Sequence, residues 1–238
     1  MGLGAARLMA GAMTPALALS TRMPLSRPRN ATRDDRARHA RRQAMQWPRG
    51  GDEVKVLAVM GSPRIGGNTD ALVTEILRGA DLSGAETERI DLIRYDVSPC
   101  TGCQDCRASG FCVIKDDAPA LIDLMLESDI WVIGTPVYWW GPSGLLKAFV
   151  DRWYSTIHLP SIKKRMAKRV ALACVYGDAD PDTPRYVLGM FEEIVSYLGG
   201  SLTDRLLVRA SSFGAARQNP DVMLQALELG RRLGAGRQ

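Results

Sequence analysis

From Val54 onward the chain alternates short apolar runs with segments whose apolar residues recur at helical spacing. That alternation constrains the fold more than any other feature. Val54–Met60 is a nearly continuous apolar run ending at Gly61, as a strand buried on both faces requires. Asn68–Ala80 follows with Leu72, Val73, Ile76 and Leu77 on one helical face, and Asn68 or Thr69 stands where an N-cap is needed. Glu86–Ile93 reads as a second strand, Ala118–Glu127 as a helix and Asp129–Gly134 as a third strand. Pro142–Ile157 reads as a helix with proline near its first turn, where the missing N–H costs little. Arg169–Tyr176 and Ser201–Val208 complete five strands, with helices over Thr183–Leu198 and Asp221–Leu233. Alternation of this kind predicts an α/β domain with a parallel sheet, and right-handed crossovers place helices on both faces. Five strands fit the doubly wound order 2-1-3-4-5, whose switch point lies between the loops after strands 1 and 3. Ligand chemistry is expected there.

The 238 residues suffice for one such domain, assigned to 51–238, plus an extra segment. Residues 1–50 hold ten Arg and no Lys against Asp34 and Asp35, a charge of +8, whereas the rest of the chain carries −3. The slightly acidic remainder offers no electrostatic footprint for nucleic acid. No apolar run is long enough to span a membrane. Residues 1–50 lack hydrophobic periodicity and contain Pro15, Pro24, Pro28 and Pro48, so a disordered Arg-rich extension is expected. Ala16-Leu17-Ala18 resembles a signal-peptidase site, and the arginines suit an organellar transit peptide. The favoured reading is a dispensable extension, or a start placed too far upstream with Met45 as the real one.

Gly61-Ser62-Pro63-Arg64-Ile65-Gly66-Gly67-Asn68-Thr69, between the first strand and the first helix, has the chemistry of a phosphate cradle. Glycines such as Gly67 let main-chain N–H groups approach an anion. Ser62, Asn68 and Thr69 add side-chain donors, Arg64 a cation and the helix its positive end. The Gly-Lys-Ser/Thr ending of an ATPase P-loop is missing, and Pro63 replaces a glycine that a dinucleotide fingerprint needs. After the third strand, Pro136, Val137, Tyr138, Trp139 and Trp140 offer an apolar, aromatic wall for a planar ring system. A phosphate cradle and an aromatic ledge about a ribityl chain apart point to FMN.

GSPRIGGNT, TPVYWWGPSGLLKAFVDRW and CTGCQDCRASGFCVIKDD together resemble the flavodoxin-like NAD(P)H-dependent FMN reductase family, including its iron–sulfur flavoprotein branch. The likeness covers roughly residues 54–210. It implies FMN with its phosphate at Ser62, Arg64, Asn68 and Thr69 and its ring against Pro136–Trp140. It also implies a third contact after strand 4, starting at Gly177, where this chain carries Asp178, Asp180 and Asp182 in place of the usual Gly and Ser. Relatives assemble as dimers or tetramers, so a homodimer or homotetramer is expected.

Cys100, Cys103, Cys106 and Cys112 form C-x2-C-x2-C-x5-C in a loop over residues 95–117. Four thiolates so spaced can hold a [4Fe–4S] cube, and the spacing is similar to that of the iron–sulfur flavoproteins. The loop leaves the carboxyl end of strand 2, on the expected FMN edge. Zinc is a competing ligand, although x2-x2 crowds three donors. Free or redox-active thiols beside FMN alone fit the spacing equally well, and the expected reducing cytoplasm disfavours disulfides. Cys174, inside VALACVY, reads as a small core residue. Lys163, Lys164, Arg165, Lys168 and Arg169 read as a solvated basic turn.

The expected function is an FMN-dependent oxidoreductase that takes hydride from NAD(P)H and passes electrons to a quinone, a flavin, a metal ion or a protein, with Tyr138 nearest the reacting face. The alternatives are an iron–sulfur flavoprotein that relays electrons without a substrate of its own, and a zinc-stabilised binding module.

Overall fold

The computed structural model describes residues 53–236; the readings made for residues 1–50 lie outside them. Among the described residues there are six strands: β1 (Lys55–Met60), β2 (Glu86–Asp91), β3 (Ile130–Tyr138), β4 (Gly141–Pro142), β5 (Arg169–Tyr176) and β6 (Ser201–Arg209). Five of them form a parallel sheet in the order β2-β1-β3-β5-β6, as the sequence pattern predicts. The two-residue β4 is an addition, paired antiparallel with the end of β3.

The helices are α1 (Asn68–Leu82), α2 (Cys106–Ser109), α3 (Ala118–Glu127), α4 (Gly144–Arg152), α5 (Pro160–Arg165), α6 (Arg185–Tyr197) and α7 (Pro220–Gly234). Short 3-10 turns cover Leu92–Arg94 and Trp153–Ile157. The helix expected over Pro142–Ile157 is therefore shorter, because Pro142 is taken up by β4 and the last turn tightens to 3-10 geometry. The second strand likewise ends at Asp91, where the 3-10 turn begins, and the third continues beyond Gly134 to Tyr138.

Period-2 alternation along the central strands divides the interior into two cores. Val56, Ala58 and Met60 of β1, Ile130 and Val132 of β3, and Ala171, Ala173 and Val175 of β5 face the layer of α1 and α7. Leu57, Val59, Trp131, Ile133, Val170, Leu172 and Cys174 face the opposite layer, with α3, α4 and α6. Cys174 is fully buried, and burial pushes its thiol up to about 12. α1 and α7 touch backbone to backbone: a Cβ on Gly230 would lie 1.9 Å from the Ile76 carbonyl oxygen. Glycine is required there by approach.

Among the described residues, no helix is long and apolar enough to cross a membrane. The basic residues before β5, expected in a solvated turn, are instead partnered. Lys168 Nζ donates to the Leu126 and Ser128 carbonyls, Lys163 Nζ lies 4.4 Å from the Tyr197 ring centroid, and Arg165 pairs with Glu127 at 2.8 Å.

Candidate functional site

The sheet order places the carboxyl ends of β1 and β3 side by side, so the loops that follow them meet at the switch point. They are fastened together. Gly61 N–H donates to the Gly134 carbonyl at 2.7 Å, and Ser143 Oγ donates to the Gly61 carbonyl at 2.5 Å. Ser143 also caps α4 by accepting from Leu146 N–H at 3.1 Å, and its own N–H reaches Thr135 Oγ1 at 3.1 Å. A serine just before an apolar helix is an N-cap signature, so a sequence signal for this residue existed.

Within the first loop, Ser62 is buried and its Oγ accepts from Arg64 N–H at 3.2 Å. Gly67 N–H donates to the Arg64 carbonyl at 3.3 Å, and Gly66, at φ +76°, donates to Asp70. Gly67 is the N-cap of α1, with no side-chain cap. The N–H groups of Asn68, Thr69 and Asp70 then open the helix with no carbonyl a turn earlier to receive them. Arg64 is exposed at the rim. A helix start of this kind, with a neighbouring guanidinium and the buried Thr69, can receive a phosphate monoester.

Asn68 is neither the cap nor a free side-chain donor. Its Nδ2 donates to the carbonyls of Ala210 at 3.3 Å and Ser212 at 2.7 Å, while Oδ1 accepts from Ala216 N–H at 3.1 Å. The amide is thus spent on the loop after β6, and only its main-chain N–H remains for an anion. That loop forms a wall that sequence reasoning missed. Phe213 lies 3.8 Å from where a Gly66 Cβ would be, and Ser211 stands at the same distance from a Gly177 Cβ.

Pro136, Val137 and Tyr138 finish β3, and Trp139 and Trp140 form the two-residue tip of the β3–β4 hairpin. Both tryptophans have positive φ, 49° and 60°, as a type I′ turn demands of its central residues. For non-glycine residues this conformation costs about 1–2 kcal/mol each. Trp139 is 91% exposed, and the two rings stand 6.0 Å apart at 54°. The flat wall expected from three aromatics in a row is therefore a bent one, because the turn rotates successive side chains apart. Gly177 opens the exposed loop after β5. In it Asp178 and Asp180 accept from the N–H groups of Asp180 and Asp182 at 2.9 Å each.

The four-cysteine loop sets its thiols in unlike surroundings. Cys100 and Cys103 are exposed, Cys106 is buried at the start of α2, and Cys112 is half-buried. Burial pushes the Cys106 thiol up, and the neighbouring Cys112 adds to the effect. Cys112 Sγ accepts from Arg152 Nη2 at 3.2 Å. Among the described residues, no three His, Cys, Asp or Glu are gathered as metal ligands.

Arg152 is fully buried and forked onto Asp116, at 2.5 and 3.1 Å, with the Ser98 carbonyl at 2.9 Å. Burial opposes its charge, yet the Asp116 carboxylate outweighs that and raises the guanidinium further. Arg152 ends α4, whereas Ser143 caps its start, so the residue holding Cys112 lies about 13 Å of helix from the switch point at 1.5 Å per residue. Cys112 also borders a cleft of about 510 Å³ lined by Phe111, Lys115, Asp123, Leu126 and Ile162. That cleft lies beside α3, away from the cradle.

The family model of NADPH-dependent FMN reductases matches residues 54–183. The chain is 31% identical over 158 residues to the putative NAD(P)H-dependent FMN-containing oxidoreductase YwqN of Bacillus subtilis, covering 65% of this chain and 84% of that protein. It is 42% identical over 99 residues to an iron–sulfur flavoprotein of Methanocaldococcus jannaschii, covering 42% of this chain and 51% of that one, about half its length. Among solved structures, the Trp repressor binding protein of Bacillus subtilis superposes with a TM-score of 0.54 at 27% identity, over 75% of this chain and 96% of that one. The NAD(P)H:quinone oxidoreductase of Methanothermobacter marburgensis superposes with a TM-score of 0.63 at 15% identity, over 78% and 98%, a likeness of fold.

Proposed function

We propose, from the premise that the chain belongs to the NADPH-dependent FMN reductase family and is an oxidoreductase, that it holds FMN at the switch point and passes electrons from NAD(P)H to a small acceptor. The observation that carries this reading is the meeting of an open helix start, at Asn68 and Thr69, with the aromatic hairpin on the adjacent strand. When bound, FMN supplies a hydride acceptor able to give its electrons up singly or in pairs. The chain supplies the rest. The N–H groups of Asn68 and Thr69, the hydroxyls of Ser62 and Thr69 and the Arg64 guanidinium hold the phosphate. Pro136, Val137, Tyr138, Trp139 and Trp140 wall the ring and exclude water, with the Gly177 loop leaving the adjacent strand. The Tyr138 phenol, at the exposed end of β3, orients the nicotinamide donor or acceptor by hydrogen bonding.

A quinone or a free flavin suits an aromatic rim of this kind, where planar rings stack. The five cysteines are unpaired, which supports a reducing cytoplasm as the working compartment. The exposed Trp139 supports self-association as a homodimer or homotetramer.

The test is titration of the apoprotein with FMN, followed by flavin fluorescence. One FMN per chain is expected, with binding about tenfold weaker in Arg64→Ala because a charge-assisted hydrogen bond is lost. Arg64→Ala and Thr69→Val variants that bind FMN as tightly as the parent would overturn the reading. The relatives named iron–sulfur flavoproteins raise a second reading, an electron relay through a cluster at Cys100, Cys103, Cys106 and Cys112. Among the described residues these sulfurs form no ready metal-ligand group, and no electron step is routed through them. An iron count near zero after anaerobic purification agrees with that arrangement, and four irons per chain would overturn it.

A further inference from the structure

Behind the cradle runs a chain of ion pairs that the proposed function leaves unused. The Gly66 N–H, at the left-handed bend of the loop, is fastened to Asp70 Oδ2 in the first turn of α1. Asp70 is itself fixed. Thr74 Oγ1 donates to Oδ1 at 3.3 Å, and Arg89 of β2 reaches the same oxygen with Nη2 at 2.6 Å. Arg89 is held in turn by Thr74 at 2.9 Å and by Asp91 at 2.7 Å, and Arg94 Nε approaches Asp91 at 3.3 Å.

A carboxylate in the first turn favours the helix but repels a second anion at the same end. Its presence in an anion cradle needs a compensating role. Burial of Asp70, which is 8% exposed, pushes its carboxyl up. The Gly66 N–H and the Arg89 charge outweigh burial and hold the carboxyl below its usual range.

We infer that Asp70 is the positioning residue of the cradle: its oxygen pins the Gly66 bend that shapes the loop for a phosphate monoester, while Arg89 offsets its charge. The inference rests on FMN binding at this loop. It assigns no contact between Asp70 and the ligand.

Asp70→Asn and Asp70→Ala carry the same charge, but only asparagine keeps an oxygen for the Gly66 N–H. The comparison therefore isolates the hydrogen bond from the charge. Dissociation constants for FMN and for riboflavin, which lacks the phosphate, are measured for the parent and both variants. Asp70→Ala is expected to bind FMN about tenfold more weakly than Asp70→Asn, a single ordered hydrogen bond's worth, with riboflavin bound alike by the two. Equal FMN affinities in the two variants would overturn the inference. So would a parallel loss of FMN and riboflavin in Asp70→Ala, which marks general damage to the fold.

Hydrogen exchange of the Gly66 amide in the ligand-free protein separates the two levels of the argument. Faster exchange in Asp70→Ala than in Asp70→Asn upholds the pinning even if the parent fails to prefer FMN over riboflavin. That last result would count against the phosphate site alone.

Discussion

Asn68 sits in a glycine-rich loop at a helix start, where its type suggests capping or anion binding, yet its amide clamps a segment more than 140 residues away. Asn68→Ala removes three hydrogen bonds and is expected to lower the stability of the fold by about 1–3 kcal/mol. A thermal melt would show this as a drop of about 3–10 °C for a domain of this size, and an unchanged midpoint would contradict it. That Ser62, Arg64, Gly67 and Thr69 share one loop at a helix start was legible, because such a loop needs only neighbours in sequence. The partners of Asn68 come from the loop after β6 and the Arg89 that holds Asp70 from β2, and no short-range pattern announces them. The same holds for Cys112. Its spacing from Cys106 is visible in the sequence, but the buried Arg152 that takes up its sulfur belongs to another helix.

The β3–β4 hairpin shows how an element carries strain where a ligand is expected. Two tryptophans occupy left-handed backbone positions that Asn-Gly would fill without penalty. Replacing them together, Trp139→Asn with Trp140→Gly, is expected to stabilise the ligand-free protein by about 1–2 kcal/mol through relief of that strain. The same double variant should bind FMN more weakly, because it removes two of the three aromatic rings of the wall. A urea midpoint that falls, or an FMN affinity that holds, would break the link between strain and site. The hairpin also explains why the third strand outran its expected end. Apolar periodicity stops at Gly134; Thr135 and Pro136 continue the strand by pairing with Cys174 and Val175 of β5, and Val137 and Tyr138 by pairing with Pro142 and Gly141 of the hairpin.

The fold as a whole was legible because strand order follows from alternation and handedness, neither of which depends on any single side chain. Stability across pH depends on side chains again. Asp70 is held below its ordinary range as described above. For Asp204, burial pulls the other way, but hydrogen bonds from Thr203 and Arg169 and the approach of Arg232 prevail and lower it as well. Asp204 thereby ties β6 to β5 and α7, with Arg169 at 3.2 Å and Arg232 at 3.3 Å. A carboxylate whose folded value is depressed adds stability above its unfolded value, near 4, and that contribution fades as pH falls toward the folded value. Asp204→Asn should therefore lose stability relative to the parent at pH 7, with the difference shrinking below about pH 4. Urea midpoints at pH 7, 5, 4 and 3 would show it, and a gap that stays constant with pH would rule out the ionic origin.

Ser143 joins the ends of two neighbouring strands through one hydroxyl and one amide. The floor of the proposed binding region is thus braced as one piece, and adaptation to a new electron acceptor is not expected to begin there, where it would loosen the proposed FMN seat. Variation among descendants of this chain should instead collect on the rim, at the hairpin tip and in the exposed turns after β5 and β6. There the backbone is free to change length, and a bulkier or more charged guest can be admitted while the grip below stays intact.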